Sequence, residues 1–225
     1  MKAVLCIAIL LTSACAPKPA ETPAVSKLEV ISDHFKIKLE YPALKSDVSE
    51  PARSRINAAI ARNALRHLQD ADDTPKSFDD FVKEIAAENE EMRKEPGGAA
   101  PWANECICTE AHRTQDNVVV KCNAYSSTGA AYPNRSTNYE TYSLKDGRTL
   151  TLADFVDPAR HEALRKLVEA DFRKQRGPEV EFEKLPLDDH FAPLQEGLVF
   201  HYSPGDVGPH ALGETTVVIP YASLK

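Results

Sequence analysis

The sequence predicts an α+β fold in which antiparallel sheets pack against about three helices. Short segments along the whole chain alternate apolar with polar residues, which is typical of half-buried strands. Three longer segments instead repeat apolar residues every three or four positions, as amphipathic helices do. Because strands and helices do not alternate strictly, we expect antiparallel sheets with helices on one face rather than a doubly wound parallel sheet.

The composition is that of a globular protein. Of the 225 residues, 42% are hydrophobic and 27% are charged, which argues against disorder. Lys and Arg number 27 against 34 Asp and Glu, so the net charge is −7. We therefore expect no nucleic-acid partner, and a basic protein is a better electrostatic match.

The first predicted elements are two strands and two helices. Apolar residues alternate with charged ones over 35–41, and a further strand at 27–32 precedes them. A helix opens at Pro51, because proline is tolerated in the first turn. Its apolar positions recur every four residues at Ile56, Ile60, Ala64 and Leu68. A second helix begins at Ser77, which caps it, and its apolar face consists of Phe78, Phe81, Val82, Ile85 and Met92.

Three cysteines lie in a predicted hairpin. Strands at 104–114 and 117–127 place Cys108 almost opposite Cys122. A disulfide between them fits this register and an oxidising compartment. Cys106 points to the same face as Cys108, so a bond from Cys106 to Cys122 is the alternative. A zinc site would need a fourth ligand that the hairpin does not provide, and we expect no metal.

The second part of the chain begins with a strand at 139–144, which an Asp-Gly turn joins to a strand at 148–151. A third helix begins at Asp157 and Pro158. Its inward-facing residues are Leu164, Leu167, Val168 and Phe172. The helix ends at Gly177.

Two further strands, at 197–202 and 214–220, surround the loop 203–213. We divide the globular unit into an N-terminal half, 26–145, and a C-terminal half, 146–225.

The first fifteen residues resemble a bacterial lipoprotein signal. A positively charged start and an apolar run at 3–11 lead to Ser-Ala-Cys15. The apolar run is much shorter than the ~20 residues of a membrane-spanning helix. The resemblance implies removal of residues 1–14 and lipidation of Cys15, and an ordinary secretory signal is the alternative. Residues 15–25 contain three prolines and form a semi-rigid spacer.

No familiar catalytic motif is present. The chain lacks G-x-S-x-G and H-E-x-x-H, and its seven histidines have no ligand spacing. His201 is expected on the solvent face of its strand, and residues 188–190 form a turn before an edge. Asp206 and His210 lie in the loop nearby, where solvated side chains are commoner than a metal site. We therefore expect no enzymatic activity and no cofactor.

The best candidates for a contact surface lie between residues 125 and 142. Tyr and Arg combine rigid contact area with hydrogen bonding, which suits protein interfaces. We predict that Tyr132, Asn134, Arg135 and Tyr139 contact a partner, with the loop 129–138 at the centre. Asparagine beside exposed aromatic residues suits a glycan equally. The alternative is that the tyrosines only pack within the sheet and the loop.

Four segments carry a family resemblance. They are YSSTGAAYP at 125–133, YSLKDGRTLTLADF at 142–155, GLVFHY at 197–202 and VVIPYASL at 217–224. In order and spacing they resemble the extracytoplasmic domain of the anti-sigma-V factor, which also occurs beside the catalytic domain of some peptidoglycan deacetylases. The resemblance covers roughly residues 25–224. Tyr132 stands where the family loop usually has His.

The resemblance implies a lysozyme-binding domain with no catalysis of its own. A cytoplasmic segment and a transmembrane helix, which an anti-sigma factor needs, are not found in this sequence, so that activity is not expected. We expect a lipid-anchored envelope protein that binds or inhibits a lysozyme-type muramidase. The alternatives are a module that binds peptidoglycan or another glycan, and a hydrolase with an unrecognised site. Because Ala16 follows Cys15, the lipoprotein resemblance implies a periplasm-facing anchor in the outer membrane.

Overall fold

The computed structural model describes residues 24–69, 77–95, 100–129, 132–178 and 180–224. The predicted signal, Cys15 and most of the spacer lie outside these residues. The α+β class is confirmed, with three helices, one sheet of six strands and a second sheet of three. No helix among the described residues is long and apolar enough to span a bilayer.

The larger sheet has its strands in sequence order. They are β1 (Ala24–Ile31), β2 (Phe35–Ala43), β3 (Trp102–Arg113), β4 (Asn117–Ser127), β5 (Asn134–Ser143) and β6 (Thr149–Leu150). All neighbours are antiparallel except β2 and β3, which run parallel. The parallel pair arises because two helices connect these strands, whereas tight turns join antiparallel neighbours.

Helices α1 (Ala52–Gln69) and α2 (Phe78–Lys94) cover one face of this sheet. The Ser77 hydroxyl accepts a hydrogen bond from the Asp80 amide, as the predicted cap requires. Met92 is exposed, so its predicted place on the apolar face is wrong. The buried stripe of α2 ends at Asn89, and the last turn lies beyond the core.

Helix α3 (His161–Arg176) packs on the smaller antiparallel sheet. That sheet consists of β7 (Phe191–Leu194), β8 (Gly197–Tyr202) and β9 (Thr215–Ile219). Leu164, Val168 and Phe172 are buried at four-residue intervals. Leu167 is exposed, contrary to prediction, because it lies one position away from this stripe on the helix.

The second sheet contacts the face of the first sheet that the helices leave open. Val119, Ala192 and Val199 form a small buried cluster there, with Tyr139 packed against it. Every residue of β8 is buried, since α3 covers one face of it and the first sheet covers the other. His201 is therefore only 6% exposed, and its predicted place in solvent is wrong.

The cysteine hairpin has the predicted register, with Cys108 opposite Cys122 and a disulfide between them. Cys106 is a buried free thiol, and its sulfur lies 3.8 Å from that of Cys108. Burial raises the pKa of the Cys106 thiol to about 12, so it is a poor nucleophile at neutral pH. The alternative bond from Cys106 to Cys122 does not form.

Candidate functional site

The predicted contact residues Asn134 and Arg135 meet the loop 203–210 at one cavity of about 250 Å³. Strands β4 and β5 form one wall, and the loop after β8 forms the opposite wall. His67, in the last turn of α1, closes the cavity at the side. We call this concavity the β5 cleft. Its lining side chains include His67, Ser126, Asn134, Arg135, Ser203, Asp206 and His210.

Strand β5 begins five residues earlier than the sequence predicts. The predicted loop 129–138 is wrong from Asn134 onward, because these residues pair with β4 as far back as Ser126. The missed strand is polar on both faces at its start, so it has no apolar alternation to reveal it. As strand residues, Asn134 and Arg135 are held by the sheet rather than by a flexible turn.

Arg135 is oriented by the strand opposite. Its guanidinium carbon lies 5.0 Å from the centre of the Tyr125 ring, and the two residues face each other in the ladder. Such a cation–π contact is worth about 0.5–1 kcal/mol at an exposed site. The contact holds the guanidinium at the wall shared by the cleft and a second concavity of about 530 Å³.

Hydrogen bonds hold the loop after β8 in a fixed turn and join it to β5, and we call it the locked loop. The Ser203 amide donates to Asp206 Oδ2 at 2.6 Å, and the Asp206 amide donates back to the Ser203 carbonyl at 3.1 Å. The Ser203 hydroxyl accepts from the Thr137 amide at 3.0 Å. Gly205 has a φ of +98°, and a Cβ there would lie 3.1 Å from the His210 ring. The positive φ favours glycine at this turn, and a side chain there would also push the His210 ring slightly aside.

His67 is neutral at neutral pH. Burial and the nearby Arg66 guanidinium lower the pKa of His67 from 6.5 to about 4. A neutral imidazole offers one donor and one acceptor. No sequence signal marked this residue, since a lone histidine on a helix is usually structural.

A further cavity of about 670 Å³ also has His67 in its wall. Glu140 lies there and accepts hydrogen bonds from Asn63 and Tyr142, and from Arg66 at 3.1 Å. Burial raises the pKa of the Glu140 carboxyl despite these partners. The predicted turn at 188–190 is present, and Asp188 and Asp189 line the far side of this cavity.

The other two predicted contact residues are separated from the cleft. Tyr132 precedes β5 and is 81% exposed. Tyr139 is half-buried, and its ring centre lies 6.3 Å from that of His201 between the two sheets. Tyr139 packs on the second sheet farther along β5, whereas Glu140 and Tyr142 on the other face of the strand contact α1.

The sequence offers two possible metal sites, the cysteines of the hairpin and the loop that contains Asp206 and His210. Among the described residues, the only group of three side chains with ligand atoms within 4.8 Å is Cys106, Cys108 and Cys122. Two of these sulfurs are joined in the disulfide and offer no thiolate. His201 instead hydrogen-bonds through Nδ1 to the Thr216 hydroxyl at 3.0 Å, and burial lowers its pKa.

Comparison with known proteins places the fold among solved structures. Residues 153–222 match the family model described as "Protein of unknown function (DUF3298)". A DUF3298 family protein from Pseudomonas aeruginosa PAO1 is 16% identical, with a TM-score of 0.65 over 91% of this chain and 93% of that one. A member of the DUF3298 family from Bacteroides fragilis NCTC 9343 is 17% identical, with a TM-score of 0.63 over 89% of this chain and 91% of that one. No curated protein matches the sequence.

At these identities the likeness shows a shared fold, and it extends over both sheets rather than the matched segment alone. The β5 cleft combines residues of the matched segment, such as Ser203 and Asp206, with residues outside it, such as Arg135. The finer resemblance to a lysozyme-binding domain stays a prediction.

Proposed function

We propose that the chain is a non-catalytic binding module of the cell envelope, and that the β5 cleft holds a segment of cell-wall glycan. One observation carries the proposal. Two segments that are almost 70 residues apart in sequence converge on a single polar concavity. Strand β5 contributes Asn134 and Arg135, and the locked loop contributes Asp206 and His210.

The side chains of the cleft suit sugar hydroxyls, which both donate and accept hydrogen bonds. Arg135 offers only donors, the Asp206 carboxylate offers only acceptors, and Asn134 and neutral His67 offer both. A strongly anionic ligand would be disfavoured by Asp206. Pockets of this kind recognise a ligand by a few fixed polar groups on a rigid scaffold.

The hydrogen bonds that Ser203 and Asp206 make within the protein favour a binding role over catalysis. The Ser203 hydroxyl accepts a hydrogen bond from the Thr137 amide, and the Asp206 carboxylate accepts one from the Ser203 amide. These two side chains therefore build the loop rather than act as nucleophile and base. The predicted lipid anchor at Cys15 and the spacer behind it would hold such a module beside the cell wall.

The direct test is calorimetric titration of the protein with soluble peptidoglycan fragments. Arg135→Ala and Asn134→Ala should each weaken binding about tenfold or more, as loss of a central contact does. Arg93→Ala is the matched control, because Arg93 is an exposed arginine in the last turn of α2. Equal affinity of the wild type, Arg135→Ala and Arg93→Ala would exclude the cleft as the glycan site.

A protein partner is the second candidate, and Tyr132 favours it. Tyr132 is 81% exposed and lies two residues before Asn134, where β5 begins. Exposed Tyr and Arg are typical anchors of protein interfaces, and the net charge of −7 suits a basic lysozyme-type muramidase. Tyr132→Ala should abolish capture of a muramidase but leave glycan binding unchanged. Capture by Tyr132→Ala at wild-type levels would exclude this surface.

A further inference from the structure

Strand β1 is the first strand in the order of the larger sheet, and its outer edge carries no other strand among the described residues. It is also unusually apolar for an exposed edge. Val25, Leu28 and Ile31 are 54%, 38% and 68% exposed. Edges of this kind are normally protected, because their unpaired amides and carbonyls are templates for another strand.

The backbone shows which residues are available on this edge. The Ser32 amide donates to the Phe35 carbonyl across the turn to β2, so even-numbered residues of β1 point towards β2. Amide and carbonyl groups alternate in direction along a strand. The groups of Val25, Lys27, Glu29 and Ile31 therefore point outward.

We propose that β1 pairs antiparallel with β1 of a second copy of this chain, with Leu28 opposite Leu28 on the two-fold axis. Both copies present odd-numbered residues, so only registers that pair odd with odd are allowed. In the proposed register Lys27 lies opposite Glu29 of the second copy, and Val25 lies opposite Ile31. Opposite charges and apolar pairs across strands each stabilise a sheet.

The two neighbouring registers are disfavoured by charge. Moving the axis to Lys27 places lysine opposite lysine, and moving it to Glu29 places glutamate opposite glutamate. Like charges directly opposite each other destabilise a strand pair. The sequence KLE at 27–29 is thus self-complementary in one antiparallel register. This pairing also covers the three exposed apolar side chains and continues the sheet from six strands to twelve across the dimer.

Engineered cysteines test the register. In the full chain with Cys6 and Cys15 replaced by Ser, Leu28→Cys should cross-link with its own copy under mild oxidation. Ile31→Cys is the matched control, because Ile31 is more exposed but lies opposite Val25 and far from its own copy. The preformed pair should raise the cross-linking rate of Leu28→Cys more than about tenfold over Ile31→Cys. Equal rates would overturn the proposal.

Sedimentation of the same background chain tests the association itself. A mass of two chains is expected for the parent and for Glu29→Ala, which keeps the outward amide. Glu29→Pro removes that amide without breaking a bond to β2, and should sediment as a folded monomer with unchanged circular dichroism. A monomeric parent at all concentrations, or a dimer that persists in Glu29→Pro, would overturn the pairing. If Glu29→Pro fails to fold, the comparison of Leu28→Cys with Ile31→Cys decides.

Discussion

The Thr137 amide donates a hydrogen bond to the Ser203 hydroxyl at 3.0 Å and so joins the first sheet to the loop after β8. The bond lies on the edge of β5 that faces away from β4. On that edge β6 pairs only with Thr141 and Tyr142, so the Thr137 amide is not used by a neighbouring strand. Ser203 is buried, and its own amide is held by Asp206. The Ser203 side chain therefore joins the loop to β5, and Asp206 holds Ser203 within the loop.

Ser203→Ala should loosen this loop. The Thr137 amide would lose its partner in a part-buried site, at a cost of about 1–3 kcal/mol in the free energy of unfolding. Urea unfolding measures this cost, and titration with glycan fragments should show weaker binding in the same variant. Ser223→Ala, at an exposed serine near the C-terminus, is the control and should change neither. A Ser203→Ala protein as stable as the control would show that the bond does not hold the loop.

His67 should make the protein less stable in mild acid. Its pKa is about 4 in the folded protein against 6.5 for an unperturbed histidine, so the unfolded chain binds more protons between these values. The stabilisation is complete above pH 6.5 and is lost as the pH falls towards 4, by about 3 kcal/mol at most.

The free energy of unfolding of His67→Gln should depend less on pH across this window than that of the wild type. His34→Gln, at an exposed turn histidine, serves as the control and should follow the wild type. Parallel curves for the wild type and His67→Gln would show that His67 is not buried as described.

The cysteines should react unequally. Mass spectrometry of a non-reduced digest should find Cys108 linked to Cys122, a bond worth about 3 kcal/mol in the chain-entropy model. Cys106 should resist alkylation in the folded protein, because it is buried and its thiol pKa is raised to about 12. The same reagent should label Cys106 fully in urea. A link between Cys106 and Cys122 would contradict the strand register.

The two tyrosines of the predicted surface should separate in their effects on stability. Tyr132→Ala should leave the melting temperature nearly unchanged, because the ring is exposed. Tyr139→Ala should lower the free energy of unfolding by at least about 1 kcal/mol, since its ring packs between the sheets against His201. Thermal unfolding of both variants tests this. A larger loss of stability in Tyr132→Ala than in Tyr139→Ala would show that Tyr132, not Tyr139, is the packing residue.

Cys15 should anchor the protein. Cys15→Ser should move the chain from the membrane fraction to the soluble fraction, because the predicted lipid on Cys15 is the proposed attachment to the membrane. Labelled fatty acid should enter the parent but not this variant. Unchanged fractionation together with no label in the parent would contradict the lipoprotein prediction.

Local patterns predicted most of the elements because each rests on neighbouring residues. The helix stripe from Ile56 to Leu68 and the cap at Ser77 depend on three- and four-residue spacings. The opposition of Cys108 and Cys122 depends on the turn between their strands and on a bulge between Glu110 and His112, which shifts the pairing by one residue. The start of β5 was not predicted, because the residues from Asn134 to Asn138 are all polar and show no alternation of apolar and polar side chains.

The sequence by itself determined the class of fold and the helix positions, favoured the disulfide between Cys108 and Cys122 over one from Cys106, and singled out two residues that line the cleft, Asn134 and Arg135. Only the tertiary structure decided that the loop with Ser203 and Asp206 packs beside them, and that His67 closes the concavity. It also buried His201 by placing the second sheet on the open face of the first. The physical reason is the distance along the chain over which each kind of interaction acts. Periodicity and turn chemistry report on residues a few positions apart, whereas which apolar faces meet is settled by burial of the whole molecule.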